Sequence, residues 1–213
     1  GSAPFFQAPL YPYLVALVYR FLPLFDTAPV AVYLLQIAVA VLGCWALVRA
    51  GEALAGPRAA GATGLLFAFY TPFWFYDVQL MKESFAVSAV CLLLFLLLKA
   101  RSSDRLSLWF LVGLVAAFLA LLRENMLLVV PFLLLLTWRE RTGKEWLFAL
   151  RRCGLLLLGL MLPLLAVASR NATLGGGFLP TTSQGGVNFW IGNNPAADGT
   201  YRPLVPGKQV PAY

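Results

Sequence analysis

The chain contains no histidine. The commonest zinc ligand and the commonest general base are both missing, so proton transfer must fall to carboxylates. Carboxylates are themselves few, nine Asp and Glu in 213 residues, and only 12% of the chain is charged. A soluble domain carries about twice that share, which argues against a water-covered surface. The three cysteines, Cys44, Cys91 and Cys153, lie far apart without CxxC spacing. Set in or beside apolar runs, they read as small buried hydrophobes rather than as disulfides or metal ligands. No GxxxxGK[ST] loop occurs, so a P-loop nucleotide site is excluded.

What the chain has is apolar length. It is 61% hydrophobic, with a mean hydropathy of +0.80. Crossing a bilayer takes roughly 20 apolar residues as a helix, somewhat fewer when the ends snorkel. Residues 29–48 are the clearest such run, followed by 61–76, 84–98, 106–122, 126–138 and 154–169. None alternates as a barrel strand would, and a backbone in lipid must satisfy its own hydrogen bonds. The expectation is an all-α membrane protein with about six transmembrane helices. Before them, APLYPYLVALVYRFLPLF carries Pro9, Pro12, Pro23, four aromatic rings between Tyr11 and Phe21, and Arg20. That punctuation predicts a helix lying along the outer interface. The division that follows is a juxtamembrane region 1–28, a membrane core 29–169 and an extracytoplasmic loop region 170–213. The chain opens on Gly-Ser with no charged and apolar leader, and reads as an internal part of something longer.

The net charge of +7 is distributed by loop. Arg49 and Arg58 fall in one connection, Lys99, Arg101 and Arg105 in the next but one, and Arg139, Arg141, Lys144, Arg151 and Arg152 two further on. By the positive-inside rule these alternate connections are cytoplasmic. The basic residues are topological anchors, and nucleic acid is not a partner. The intervening connections then face outward. They carry Asp77, Lys82 and Glu83, then Arg123, Glu124 and Asn125, then Arg170 with the tail behind it. Each charge could be merely solvated, Lys82 with Glu83 could be a salt-bridged helix start, and Asp77 could cap a helix end. Convergence on one face favours a site. The tail segment GGVNFWIGNNP adds amides and two aromatic rings in a composition suited to tight turns and to polar ligands such as sugars. Asn171-Ala172-Thr173 also fits the N-glycosylation pattern, a weak match.

In order along the chain, APLYPYLVALVYRF, LMKESFAV, LLRENMLLVVPFLLLL and GGVNFWIGNNPAADGTY resemble segments of the membrane glycosyltransferases of the protein O-mannosyltransferase and lipid A aminoarabinose transferase type, glycosyltransferase family 39. The resemblance implies a GT-C-type multi-span bundle in a bacterial inner membrane, with its active face extracytoplasmic and a polyprenyl-phosphate sugar as donor. It implies that Glu83 is the acidic residue beside the reaction and that Lys82 and Arg123 meet the donor phosphate. Gln7 stands where relatives often carry a basic phosphate contact. Asp77, Glu124, Asn188, Asn193 and Asn194 are the implied substrate-loop residues. The family's principal catalytic aspartate would precede Gly1, so this polypeptide alone is expected not to turn over.

The chemistry suits these residue types. A carboxylate takes the acceptor's proton while cations hold the departing phosphate charge. No metal site is assigned, although carboxylates could recruit Mg²⁺ or Mn²⁺. The sequence sets neither donor sugar, acceptor class nor oligomeric state. The second reading is a secondary transporter or channel-type protein, for which the polar residues available inside the spans are Gln36 and Ser88. A noncatalytic scaffold ranks third, since it leaves the amide-rich tail unexplained.

Overall fold

The computed structural model describes residues 4–21, 28–139, 146–195 and 197. Helices α1 to α9 span Leu10–Phe21, Ala28–Ala55, Pro57–Phe69, Thr71–Asp77, Glu83–Arg101, Ser107–Leu122, Val130–Arg139, Trp146–Thr173 and Gly185–Asn193. A 3-10 segment, Glu124–Val129, leads into α7. There is no strand among the described residues, and the protein is an all-α membrane protein.

All six apolar runs are helical, but unequal in length. Among the described residues only α2, α5 and α8 are long and apolar enough to cross a membrane, at 28, 19 and 28 residues. At 1.5 Å per residue these reach about 42, 28 and 42 Å, against roughly 30 Å of hydrocarbon. Run 61–76 is broken in two. Tyr70 adopts an extended backbone between α3 and α4. Pro72, in the first turn of α4, can donate no backbone hydrogen bond to continue α3. Helix α1 has 12 residues, about 18 Å, too short to span.

Helix α2 buries small residues and exposes large ones. Ala40, Gly43, Ala46 and Ala50 face inward, whereas Leu34, Ile37, Val41 and Trp45 face out. That inversion suits lipid, where apolar side chains gain nothing by leaving the solvent and helices associate by close backbone approach. The α6–α8 pair shows the closest approach. A Cβ added at Gly113 would lie 1.9 Å from the Leu156 carbonyl oxygen, and one at Gly159 would lie 2.1 Å from that of Phe110. Around this crossing Trp109, Val112, Ala116, Leu119, Leu156 and Leu160 form the main core. Gly43 of α2 meets Ser88 of α5 in the same manner.

These packings make the chain alternate. The starts of α1, α5 and α9 and the ends of α4, α6 and α8 gather at one rim. The basic residues Arg49, Arg58, Lys99, Arg101, Arg105, Arg151 and Arg152 lie at helix ends away from it. Arg141 and Lys144 lie outside the described residues, as does most of the tail beyond Pro195. The cysteines are free thiols, Cys91 buried and Cys44 and Cys153 partly so.

Candidate active site

The rim is assembled around two side-chain amides buried in helices. The first is Gln36 of α2, fully buried. Helix α4 ends at the half-buried Asp77, against the buried Gln36 side chain, and its last carbonyls have no intrahelical donor. The Gln36 amide donates to the carbonyls of Asp77 and Gln79, each at 2.8 Å. Its own oxygen accepts from the Tyr11 hydroxyl of α1 at 2.8 Å. Ser84, opening α5, donates to the Asp77 carboxylate at 2.5 Å. The chain can therefore leave α4, turn through 78–82 and enter α5 with Lys82 and Glu83 at the rim.

The second is Asn171, near the end of α8 and also fully buried. Its oxygen accepts from the Phe5 backbone N–H at 3.0 Å, and its amide donates to the Leu179 carbonyl at 2.9 Å. Ser183 N–H donates to the Phe5 carbonyl at 3.0 Å, and the Arg170 guanidinium stacks on the Phe5 ring at 3.7 Å. The segment before α1 and the loop after α8 are thus sewn together, which brings Thr182 and Gln184 against Glu124. With its amide buried and engaged, Asn171 is not presented as a glycosylation acceptor.

Between these supports lies the polar part of the rim. Glu83, the first residue of α5, forms an ion pair with Arg123, the residue that ends α6. Both Glu124 oxygens are occupied, one by the Thr182 hydroxyl and the other by the Gln184 amide at 3.3 Å. A cavity of about 440 Å³ is lined by Lys82, Arg123, Glu124, Asn125, Gln184 and Asn188. A second cavity of about 420 Å³ shares Arg123 and Asn125 with the first. Its walls include Tyr70, Phe73, Tyr76, Val87 and Leu119 together with Glu83 and Arg123. Arg123 therefore lines both the polar bowl and this mostly apolar groove, whereas its partner Glu83 lines the groove. The Lys82 ammonium is half-buried, and burial first, then Arg123, hold its pKa below the ordinary lysine value, against the pull of Glu83 and Glu124.

The sequence model of the dolichyl-phosphate-mannose-protein mannosyltransferase family matches residues 6–167. The chain belongs to that family. Comparison with curated proteins and with solved structures gave no match. The mannosyltransferase family match runs from just before α1 into α8, so it covers Gln36, Asp77, Lys82, Glu83, Arg123 and Glu124. Thr182, Gln184 and α9 lie beyond it. Membership places the chain among integral membrane glycosyltransferases of the mannosyltransferase type.

Not every residue expected at this mannosyltransferase-type rim shares one surface. Lys82, Arg123, Glu124 and Asn188 line the bowl, and Glu83 contacts it through Arg123. Asp77 does not line it: its carboxylate is turned to Ser84 and its carbonyl to Gln36. Gln7 is exposed, next to Ala8 at the bowl's edge. Segment GGVNFWIGNNP, expected as turns, is instead helix α9. Asn193 and Asn194 close that helix by donating to the carbonyls of Phe189 and Trp190 at 2.8 and 3.0 Å, the local use that makes such amides good helix terminators. Phe189 and Trp190 are largely exposed and are not among the bowl's lining residues. Among the described residues no three Cys, Asp or Glu side chains gather as a cation site. Thr182, Gln184 and both amide hubs were missed as site-forming residues. The one available signal was an uncharged amide inside each of two apolar helices, which marks a buried bonding need without naming its partner.

Proposed function

We propose that this rim transfers a sugar from a polyprenyl-phosphate donor to a hydroxyl acceptor at the extracytoplasmic face of the membrane. The observation that carries the reading is that Arg123, paired with Glu83 of an apolar groove, also lines a polar bowl that holds Lys82. A lipid-linked sugar has that polarity: its isoprenoid lies in the groove and its head group in the bowl. The extracytoplasmic assignment rests on the basic helix ends lying away from this rim. The bundle is of the GT-C type and its setting is the bacterial inner membrane that the resemblance implies.

In the reaction the acceptor oxygen bonds to the anomeric carbon as the bond from that carbon to the phosphate oxygen breaks. The electron pair stays on the phosphate, and the acceptor's proton passes to Glu83. The donor is a phosphodiester of charge −1, and the product lipid phosphate approaches −2. Lys82 and Arg123 therefore bind the transition state more strongly than the donor, the condition for raising the rate. Arg123 can serve phosphate while still orienting Glu83, because the guanidinium presents several donors. Glu124, already holding Thr182 and Gln184, shapes the bowl, and Asn188 and Asn125 offer amides to sugar hydroxyls. Gln7 lies near enough in sequence to Ala8 to contact the donor head group at the bowl's edge.

A transfer assay on the intact protein in lipid, with a panel of polyprenyl-phosphate sugars, tests this reading, and no turnover of any member would defeat it. Lys82→Met is expected to lower kcat about tenfold, the scale of one charge-assisted hydrogen bond, with the donor KM raised by a smaller factor. Because the Lys82 pKa is lowered, its proton is lost earlier on raising pH than from an ordinary lysine. Donor affinity should thus fall on an alkaline limb that Lys82→Arg moves upward and Lys82→Met abolishes, read as kcat/KM against pH.

A further inference from the structure

Gln36 is remote from the bowl, yet its side chain joins three elements that build it. It is fully buried in α2. Two short hydrogen bonds to the Asp77 and Gln79 carbonyls occupy both of its N–H groups, and a longer contact reaches the Tyr76 carbonyl at 3.4 Å. Its oxygen receives the Tyr11 hydroxyl, and its backbone carbonyl lies 3.4 Å from the Ser84 hydroxyl. Tyr11 also stands edge-on to Phe85, two residues after Glu83, with ring centroids 5.8 Å apart. The position of α1 and the path of residues 76–85 are therefore fixed against one another through a single amide.

We propose that Gln36 is a positioning residue for the transfer reaction: it sets the depth and direction at which segment 76–83 delivers Glu83 to the rim, and through Tyr11 couples that setting to α1. The proposal rests on the transferase reading above. A uniformly apolar side chain at this position would pack equally well in α2 but would take the donor from the half-buried Asp77 carbonyl and leave the Gln79 carbonyl with the Met81 N–H alone, so the segment would move to find other donors. Small displacements of a reacting group cost rate far more than they cost affinity.

The test uses the intact protein in lipid nanodiscs with the variants Gln36→Met and Tyr11→Phe. Hydrogen exchange is followed in peptides covering 76–83 and 108–122, and transfer kinetics are measured with each donor the wild type accepts. Gln36→Met should exchange about tenfold faster in 76–83 with α6 unchanged. Its kcat should fall about tenfold or more while the donor KM stays within about twofold. Tyr11→Phe should show the same pattern at about a threefold loss, and add nothing in the double variant, because the acceptor of its hydroxyl is already gone. Faster exchange at unchanged kcat would reduce Gln36 to a helix-end cap and overturn the proposal. Unchanged exchange, or a rise in KM alone, would overturn it as well. Should Gln36→Met fail to fold, Tyr11→Phe decides on the same two readouts. If the wild type turns over no donor, the transferase reading falls, and exchange in 76–83 then decides by itself whether this amide holds the segment.

Discussion

Glu83→Gln should lower kcat by two to four orders of magnitude, the usual range for loss of a positioned general base. The substitution keeps the shape of the side chain and removes its charge, so Arg123 loses an ionic partner but keeps a hydrogen-bond acceptor within reach. Freed of that charge, Arg123 remains available to phosphate, and the donor KM should not rise. This pattern differs from that of Lys82→Met, in which kcat falls less and the donor KM rises. Steady-state kinetics on purified protein at matched expression separate the two. Wild-type turnover in Glu83→Gln would remove this carboxylate from the mechanism and leave it as the anchor of Arg123.

The largest effect on stability is expected far from the rim, at the α6–α8 crossing. In Gly113→Ala the new Cβ would sit 1.9 Å from the Leu156 carbonyl oxygen and 2.8 Å from its carbonyl carbon. Both are backbone atoms of the facing helix, so no side-chain rotation relieves the overlap, and the two helices must separate. Alanine gains up to about 1 kcal/mol over glycine in a helix interior. Overpacking of this kind costs about 3 kcal/mol or more, so the net change is destabilising. A thermal midpoint lower by on the order of 10 °C is expected. Gly154→Ala in α8 is the control. Nothing lies within 4 Å of its added Cβ, and the same substitution there should be neutral or stabilising. Equal midpoints for the two variants would mean that α6 and α8 do not meet at Gly113.

The transporter alternative drew on Gln36 and Ser88 as polar groups inside spans. Gln36 is committed to the carbonyls at the end of α4 and to Tyr11. Its polarity is accounted for by backbone satisfaction within the bundle, with no need of a transported ligand.

Composition and run length determined that this chain is helical and lives in a membrane, because in lipid each backbone must bond to itself and only continuous apolar helices of this length do so. The loop asymmetry of Lys and Arg pointed to the end of the bundle where Lys82, Glu83, Arg123 and Glu124 meet, since charges are tolerated at helix ends and excluded from spans. Which of these charges touch was decided only by tertiary structure. Glu83 pairs with Arg123, 40 residues away, because α5 packs directly against α6 and sets its own start beside the end of that helix; no local pattern encodes that pairing. Asp77 turned inward for a similar reason, as its hydrogen-bond partners come from α2 and α5. The roles of Gln36 and Asn171 were equally illegible, since an amide in an apolar helix announces a need for partners, and only the packing of neighbouring helices and loops supplies them.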